Sequence, residues 1–391
     1  MTSVRAPTSL SRPMWLFAAV GVAALLAACS TLENLNPFSS ASKVKMAELQ
    51  GFPATATLTV GWQGTSGAAR DYVFTPAVVG ASVYVAGADG ALARYDDGRE
   101  VWRVNAGQRL SGGVAANGTL VAVGTPKGEV LTFSADGKPL WKAVVTSEVL
   151  SAPAVVQGMV IVRSGDNRIF GLDILDGKRR WLYQRAAPPL TLRTFAGVTV
   201  ADRTVLVGFP GGKLVAINAS NGAALWEATV ALPRGATELE RVADVSGVPV
   251  VAGRNVCAAA YQGRVACFDR ANGNSVWARD MSSSVGVDID SRYLYVTDEK
   301  SAVHALDRSS GASVWRNDKL NLRGVTRPLA LGNHVAVADS QGVVHLLRSE
   351  DGAFAARVNT DGSAILAAPV AADGGLIVQT RSGTVYGLAS R

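Results

Sequence analysis

Residues 305–315 read Ala-Leu-Asp-Arg-Ser-Ser-Gly-Ala-Ser-Val-Trp: an apolar strand end, a polar turn closed by Gly311, and Trp315 four residues after that glycine. Degenerate copies stand at 172–181 and 216–226. Followed along the chain, the turn glycine recurs at Gly98, Gly137, Gly177, Gly222, Gly273, Gly311 and Gly352. A tryptophan follows the first six at Trp102, Trp141, Trp181, Trp226, Trp277 and Trp315, while Ala356 holds the seventh place. The glycine spacings are 39, 40, 45, 51, 38 and 41 residues, the length of one four-stranded propeller blade.

A second count comes from the hairpin upstream of each tryptophan strand, whose turns fall at Gly90, Gly128, Asn167, Gly212, Gly263, Ser301, Gly342 and Gly383. This series has one member more than the glycines. The last hairpin, 378–388, is followed only by three residues, so its outer strand must come from elsewhere. Thr57-Leu58-Thr59-Val60-Gly61-Trp62 supplies it, with Trp62 as the remaining tryptophan of the mature chain. The sequence therefore predicts an all-β fold over 55–391: an eight-bladed β-propeller of four-stranded antiparallel blades, closed by the N- and C-terminal strands in one blade. Closure leaves no open sheet face between the first and last blades. Segments such as Thr75-Pro76-Ala77-Val78-Val79, Ser151–Val156 and Ala367–Val370 carry small residues and an early proline, which suits the innermost strands. The tryptophans are expected to dock between blades, and Ala356 to leave one weaker junction.

Ahead of the repeats, Arg5 and Arg12 precede an apolar run from Met14 to Ala28, the layout of a signal peptide. Fifteen residues make about 22 Å of helix, short of the ~30 Å bilayer core. The run ends Leu26-Ala27-Ala28-Cys29-Ser30, which resembles the lipobox of bacterial lipoproteins. That resemblance implies cleavage after residue 28 and acylation of Cys29, with Ser30 favouring the outer membrane; a plain signal peptide is the alternative. Residues 29–54, rich in Ser, Asn and Pro and without a period, are expected to be a lipidated flexible tether. Of the 38 basic and 31 acidic residues, the leader holds two basic ones, leaving about +5 on the mature chain. The basic residues are scattered singly, which argues against nucleic acid as a partner.

The two longest spacings, 45 and 51, are neighbours, and their excess lies after Trp181 and after Trp226. Both are connections from an outer strand to the next inner strand, so both emerge on one face and form one patch. Enlarged loops on a rigid scaffold are where binding resides. Leu190 and Leu192 alternate beside the forked donor Arg193, a composition suited to a binding hot spot. The alternative is that the leucines fold back on the blades.

The glycine–tryptophan unit is similar to the docking motif of the quinoprotein (PQQ) propeller superfamily. Together with the lipobox, the tether, Pro189-Leu190-Thr191-Leu192-Arg193 and 236–245 (Ala-Thr-Glu-Leu-Glu-Arg-Val-Ala-Asp-Val), the chain resembles the BamB family of outer-membrane assembly lipoproteins. The resemblance implies a non-enzymatic scaffold, monomeric within the BAM complex. It would dock on the periplasmic domains of BamA through Leu190, Leu192, Arg193 and Asp244, beside other BAM subunits and unfolded outer-membrane protein clients. Where the family can carry a second aspartate, Ser246 stands here. The competing readings are a PQQ-dependent dehydrogenase-like enzyme and an unrelated ligand-binding envelope lipoprotein.

Catalytic chemistry has little to stand on in this sequence. His304 and His345 occupy equivalent repeat positions a blade apart, and His334 follows Gly-Asn in a turn, so no metal set is expected. Asp173, Asp269 and Asp307 share one repeat position, where bonding to the following turn accounts for them. No cofactor is expected. Cys257 and Cys267 flank the turn at Gln262-Gly263 and would face each other across the hairpin, either as a disulfide or as two buried thiols.

Overall fold

The computed structural model describes residues 1–3, 45–156 and 158–391. Cys29, the leader after residue 3 and the tether up to residue 44 lie outside the described residues. The remainder folds into eight four-stranded antiparallel sheets. Blades 1 to 7 cover 77–105, 115–144, 154–183, 199–229, 250–280, 287–317 and 329–359, each running inner to outer in chain order. Blade 8 takes three strands from 370–390 and its outer strand from Leu58–Thr65, which pairs with Thr384–Ser390 from Leu58↔Ser390 to Thr65↔Thr384. Inner strands touch those of both neighbouring blades all the way round, Ala77–Val79 meeting Val370–Ala372. The ring is closed as the repeat count predicts.

Strand character follows radial position. Second and third strands are sandwiched between neighbouring blades and read as continuous apolar runs, such as the fully buried Leu120–Gly124 and Ile169–Asp173. Outer strands alternate, as Pro139–Val144 does, because their far edge meets solvent. The core is accordingly distributed: each of eight apolar clusters is shared by two adjacent blades.

The tryptophans stitch these junctions. Trp102, Trp141, Trp181, Trp226, Trp277 and Trp315 donate their indole N–H to Ala135, Ile174, Ala219, Arg270, Arg308 and Ser349 carbonyls of the next blade at 2.8–2.9 Å. Each ring lies on the turn glycine of that next blade; a Cβ on Gly177 would meet the Trp141 ring at 2.4 Å, and its φ of +71° already favours glycine. The glycine and tryptophan that are neighbours in sequence are thus not partners in space. Trp62 closes the series against Gly98 and stacks on Tyr95 at 5.5 Å.

The junction expected to be weak at Ala356 is instead filled. Blade 8 has no turn between its third and outer strands, because these are the distant segments Thr384–Ser390 and Leu58–Thr65, so a tryptophan at 356 would have nothing to dock on. Backbone bonds between Thr57 and Arg391 (2.8 and 3.0 Å) stand in for that turn. Ala356, buried, packs with Leu58, Ile365 and Tyr386. The packed body also begins at Met46, earlier than the expected start at 55, since residues 47–56 bond to blade 7 and the connection before it. At the hairpin of blade 5 the left-handed residue is Gln262 (φ +48°), one position before Gly263. Cys257 and Cys267 are paired in register, fully buried, and joined by a disulfide.

Replacing buried Trp181 by Ala should cost about 3–5 kcal/mol in denaturant unfolding. Ala356→Trp should destabilise by ~1–3 kcal/mol through overpacking; a neutral or stabilising result would refute the missing-turn explanation. The double Cys257→Ser, Cys267→Ser variant should lose about 2–3 kcal/mol, and wild-type mass after alkylation should change only when reductant is added.

Candidate docking face

The two long connections, 184–198 after blade 3 and 230–249 after blade 4, lie side by side and are bonded to each other. Asp244, only 4% exposed, is the keystone: its Oδ2 accepts the amide of Leu192 (2.7 Å) and its Oδ1 that of Gly211 (3.1 Å). Thr194 Oγ1 donates to the Ser246 carbonyl at 2.8 Å, and Ser246 Oγ donates to Ser284 O at 2.9 Å. A buried carboxylate with both oxygens occupied by backbone amides positions loops; it does not offer a free charge. Asp244 and Ser246 therefore sit beneath the patch and do not form its acidic surface, unlike the direct contact expected of Asp244.

The second loop is stiffened by a local cap. Thr237 Oγ1 accepts the Glu240 amide (3.2 Å), while Glu240 Oε2 accepts the amides of Ala236 and Thr237 (2.8 and 3.1 Å), a reciprocal arrangement that the Thr-x-x-Glu spacing encodes. Those amides hold the Glu240 carboxyl below its usual range. The adjoining hairpin tip donates the Tyr261 amide to Asp244 O at 2.9 Å.

Among the expected contact residues, Leu190 is exposed and Leu192 half-buried, so the two leucines are not equivalent. Arg193 makes a two-point pair with Glu148, at 3.0 Å from Nε and 2.9 Å from Nη2, and lies over Phe195 (5.4 Å) and Tyr72 (6.0 Å). Glu148 raises its pKa, yet half of its side chain still meets solvent. Leu232 and Leu239, from the second loop, are exposed at 62% and 69%. An open groove of about 500 Å³ runs beneath Leu232 and Arg234 to Gln262, Arg264 and Asp280. The face thus presents isolated apolar anchors beside arginines, the makings of a protein-binding surface.

Sequence reasoning missed Arg163, 5% exposed, whose guanidinium donates to Ala196 O (3.3 Å) and Asn167 Oδ1 (2.8 Å) and faces Phe209. Desolvation lowers its pKa to about 10, opposed by Asp244. A lone arginine at the end of a strand gives no sign of such burial. The aspartates of the repeat behave as turn formers: Asp173, Asp269 and Asp307 accept the amides of Leu175, Ala271 and Ser309 at 2.8, 2.8 and 3.1 Å. His304 and His345 each face one aspartate, Asp298 and Asp339, at 2.9 and 3.2 Å. Among the described residues no group of three metal-ligating side chains converges.

Asp244→Ala should leave the Leu192 and Gly211 amides without acceptors, at a cost of about 1–3 kcal/mol. Hydrogen exchange should quicken in 190–194 and 236–246 while the blades stay protected; unchanged loop protection would remove the keystone role.

A family model described as outer membrane protein assembly factor BamB matches residues 88–317. The curated outer membrane protein assembly factor BamB of Nitrosomonas eutropha is 43% identical over 374 residues, covering 93% of this chain and 91% of that protein. The crystal structure of BamB from Moraxella catarrhalis superposes with a TM-score of 0.79 at 28% identity, over 85% of this chain and all of the other. The quinohemoprotein alcohol dehydrogenase of Comamonas testosteroni, at 15% identity and a TM-score of 0.69 over 85% of this chain and 76% of its own, shares the fold alone. The curated relatives from Bordetella pertussis and Burkholderia pseudomallei, 42% and 43% identical over 93% and 84% of this chain, are likewise outer membrane protein assembly factors. On the glycine–tryptophan ring, the matched repeat region and these relatives together, the chain belongs to the outer membrane protein assembly factor BamB family.

Proposed function

We propose that the protein is a rigid, non-enzymatic assembly factor for outer-membrane proteins, which docks on the periplasmic domains of BamA through the face built by 184–198 and 230–249. The observation that carries this reading is the bonded pair of loops, locked from below by Asp244, with Leu190, Leu232 and Leu239 exposed above it. Pre-locked loops lower the ordering cost of binding, which a scaffold within a larger complex requires. Leu190, Leu192 and Arg193 supply contact, and Asp244 positions them. The remaining steps extend the same reading: residues 1–28 are removed as a signal peptide, Cys29 is acylated, and the propeller faces the periplasm from the outer membrane. Other BAM subunits and unfolded outer-membrane proteins are its further partners.

Leu192→Ala or Arg193→Ala should weaken BamA binding by at least ~2 kcal/mol, roughly thirtyfold in Kd. Co-purification with BamA is the measurement; both variants retaining wild-type amounts of BamA would sink the assignment of this face.

A further inference from the structure

The chain enters the packed body at Met46 and runs along the outer edge of blade 7 before it becomes a strand of blade 8. Ala47 donates its amide to Asn321 O (2.9 Å) and accepts from Arg323 Nη1 (3.0 Å). Arg357 Nη1 donates to Gln50 O at 3.1 Å. Leu49 is half-buried against the cluster between blades 6 and 7. The Phe52 ring lies 5.3 Å from that of Phe354, and the Arg357 guanidinium covers both, at 4.9 and 5.1 Å. Thr55 and Ala56 then both donate to Ala355 O, at 2.9 and 3.2 Å.

The arginines that grip this strap are themselves fixed by a buried chain of polar groups. Arg323 Nε donates to Asp339 Oδ2 (2.5 Å), His345 Nε2 shares that carboxylate (3.2 Å), and Arg357 Nε donates to His345 Nδ1 (3.2 Å). Burial pushes the His345 pKa down, so a neutral ring with its proton on Nε2 satisfies both contacts.

The direction of the strap matters. Asn321 and Arg323 belong to the connection from the outer strand of blade 6 to the inner strand of blade 7, the same class as 184–198 and 230–249, so Ala47 sits at the rim of the docking face. Thr57 pairs with Arg391, where the third strand of blade 8 ends, on the opposite rim. The strap therefore crosses the full height of the propeller and turns back as Leu58–Thr65. Had the chain been free up to Leu58, it would leave from the face away from the docking loops.

We infer that the strap 46–56 sets the point where the membrane tether leaves the propeller, at the docking-face rim between blades 6 and 7, and thereby turns the docking face toward the bilayer. This rests on acylation of Cys29. From Cys29 to Met46 there are 17 peptide steps, a contour of at most roughly 60 Å. With the strap released, the 29 steps to Leu58 would reach about 100 Å from the other rim.

The test uses the full-length acylated protein floated on phosphatidylethanolamine–phosphatidylglycerol vesicles that carry a headgroup quencher. A fluorophore is placed at Leu239→Cys on the docking face or at Leu175→Cys on the opposite turns of blade 3, both sites being exposed and the buried Cys257 and Cys267 being bridged. Quenching should be stronger at 239 than at 175. The strap variant Leu49→Ser, Phe52→Ser leaves every blade residue in place; it should lose amide protection at 47–56 and lose or reverse the difference between the two probes. Equal quenching, stronger quenching at 175, an ordering unaltered by the variant, or protection at 47–56 unaltered by it would each overturn the inference. Protein that fails to float removes the lipid-anchor reading and the orientation with it, whereas protein that floats with equal quenching removes the orientation alone.

Discussion

The antiparallel pairing of Leu58–Thr65 with Thr384–Ser390 is the constraint on which the rest of the molecule depends. A propeller has no central core; its apolar surface is divided among junctions, and each blade covers its neighbour. An open ring would expose two sheet faces at once, each as apolar as a domain interior. By giving the last blade the strand Leu58–Thr65, the fold provides each of the eight junctions with its own buried apolar cluster and ties Thr57 to Arg391. The same closure explains the break in the repeat at Ala356: the only blade without a turn before its outer strand is the one that receives no tryptophan from its neighbour.

On this rigid ring, specificity resides in what is added to it. Burying a charge such as Asp244 or Arg163 is costly unless backbone or polar side-chain groups satisfy it. Both residues meet that condition by bonding loop backbone, and the loops are held in one arrangement as a result. The fold itself is shared with quinohemoprotein dehydrogenases, yet here the repeat aspartates cap turns and His304 and His345 sit singly beside aspartates. A common architecture thus carries different work, according to which side chains its loops and rims present.

The rim of blade 7 shows the same economy in another form. The outer edge left without a tryptophan is the one that the chain covers with its own N-terminal segment, through Phe52 on Phe354 and Arg357 on Gln50. The structural break in the repeat and the entry of the chain into the packed body therefore fall at one place, since both follow from where the ring is sealed.

Much of this was legible in the residues alone. The period of about forty, the glycine–tryptophan pairs and the surplus hairpin determined the number of blades, the closure and the position of the enlarged loops, because each blade repeats one local pattern of strands and turns. What the sequence could not determine is which groups are turned inward. Asp244 reads as one more loop carboxylate and Arg163 as one more strand-end cation, and the stretch 46–54 has no hydrophobic period to announce that it docks. Their roles depend on contacts between residues distant in the chain, 52 positions apart for Leu192 and Asp244 and 307 for Gln50 and Arg357. Only the assembled ring brings such groups together, and only there does the loss of water decide which of them must find a partner.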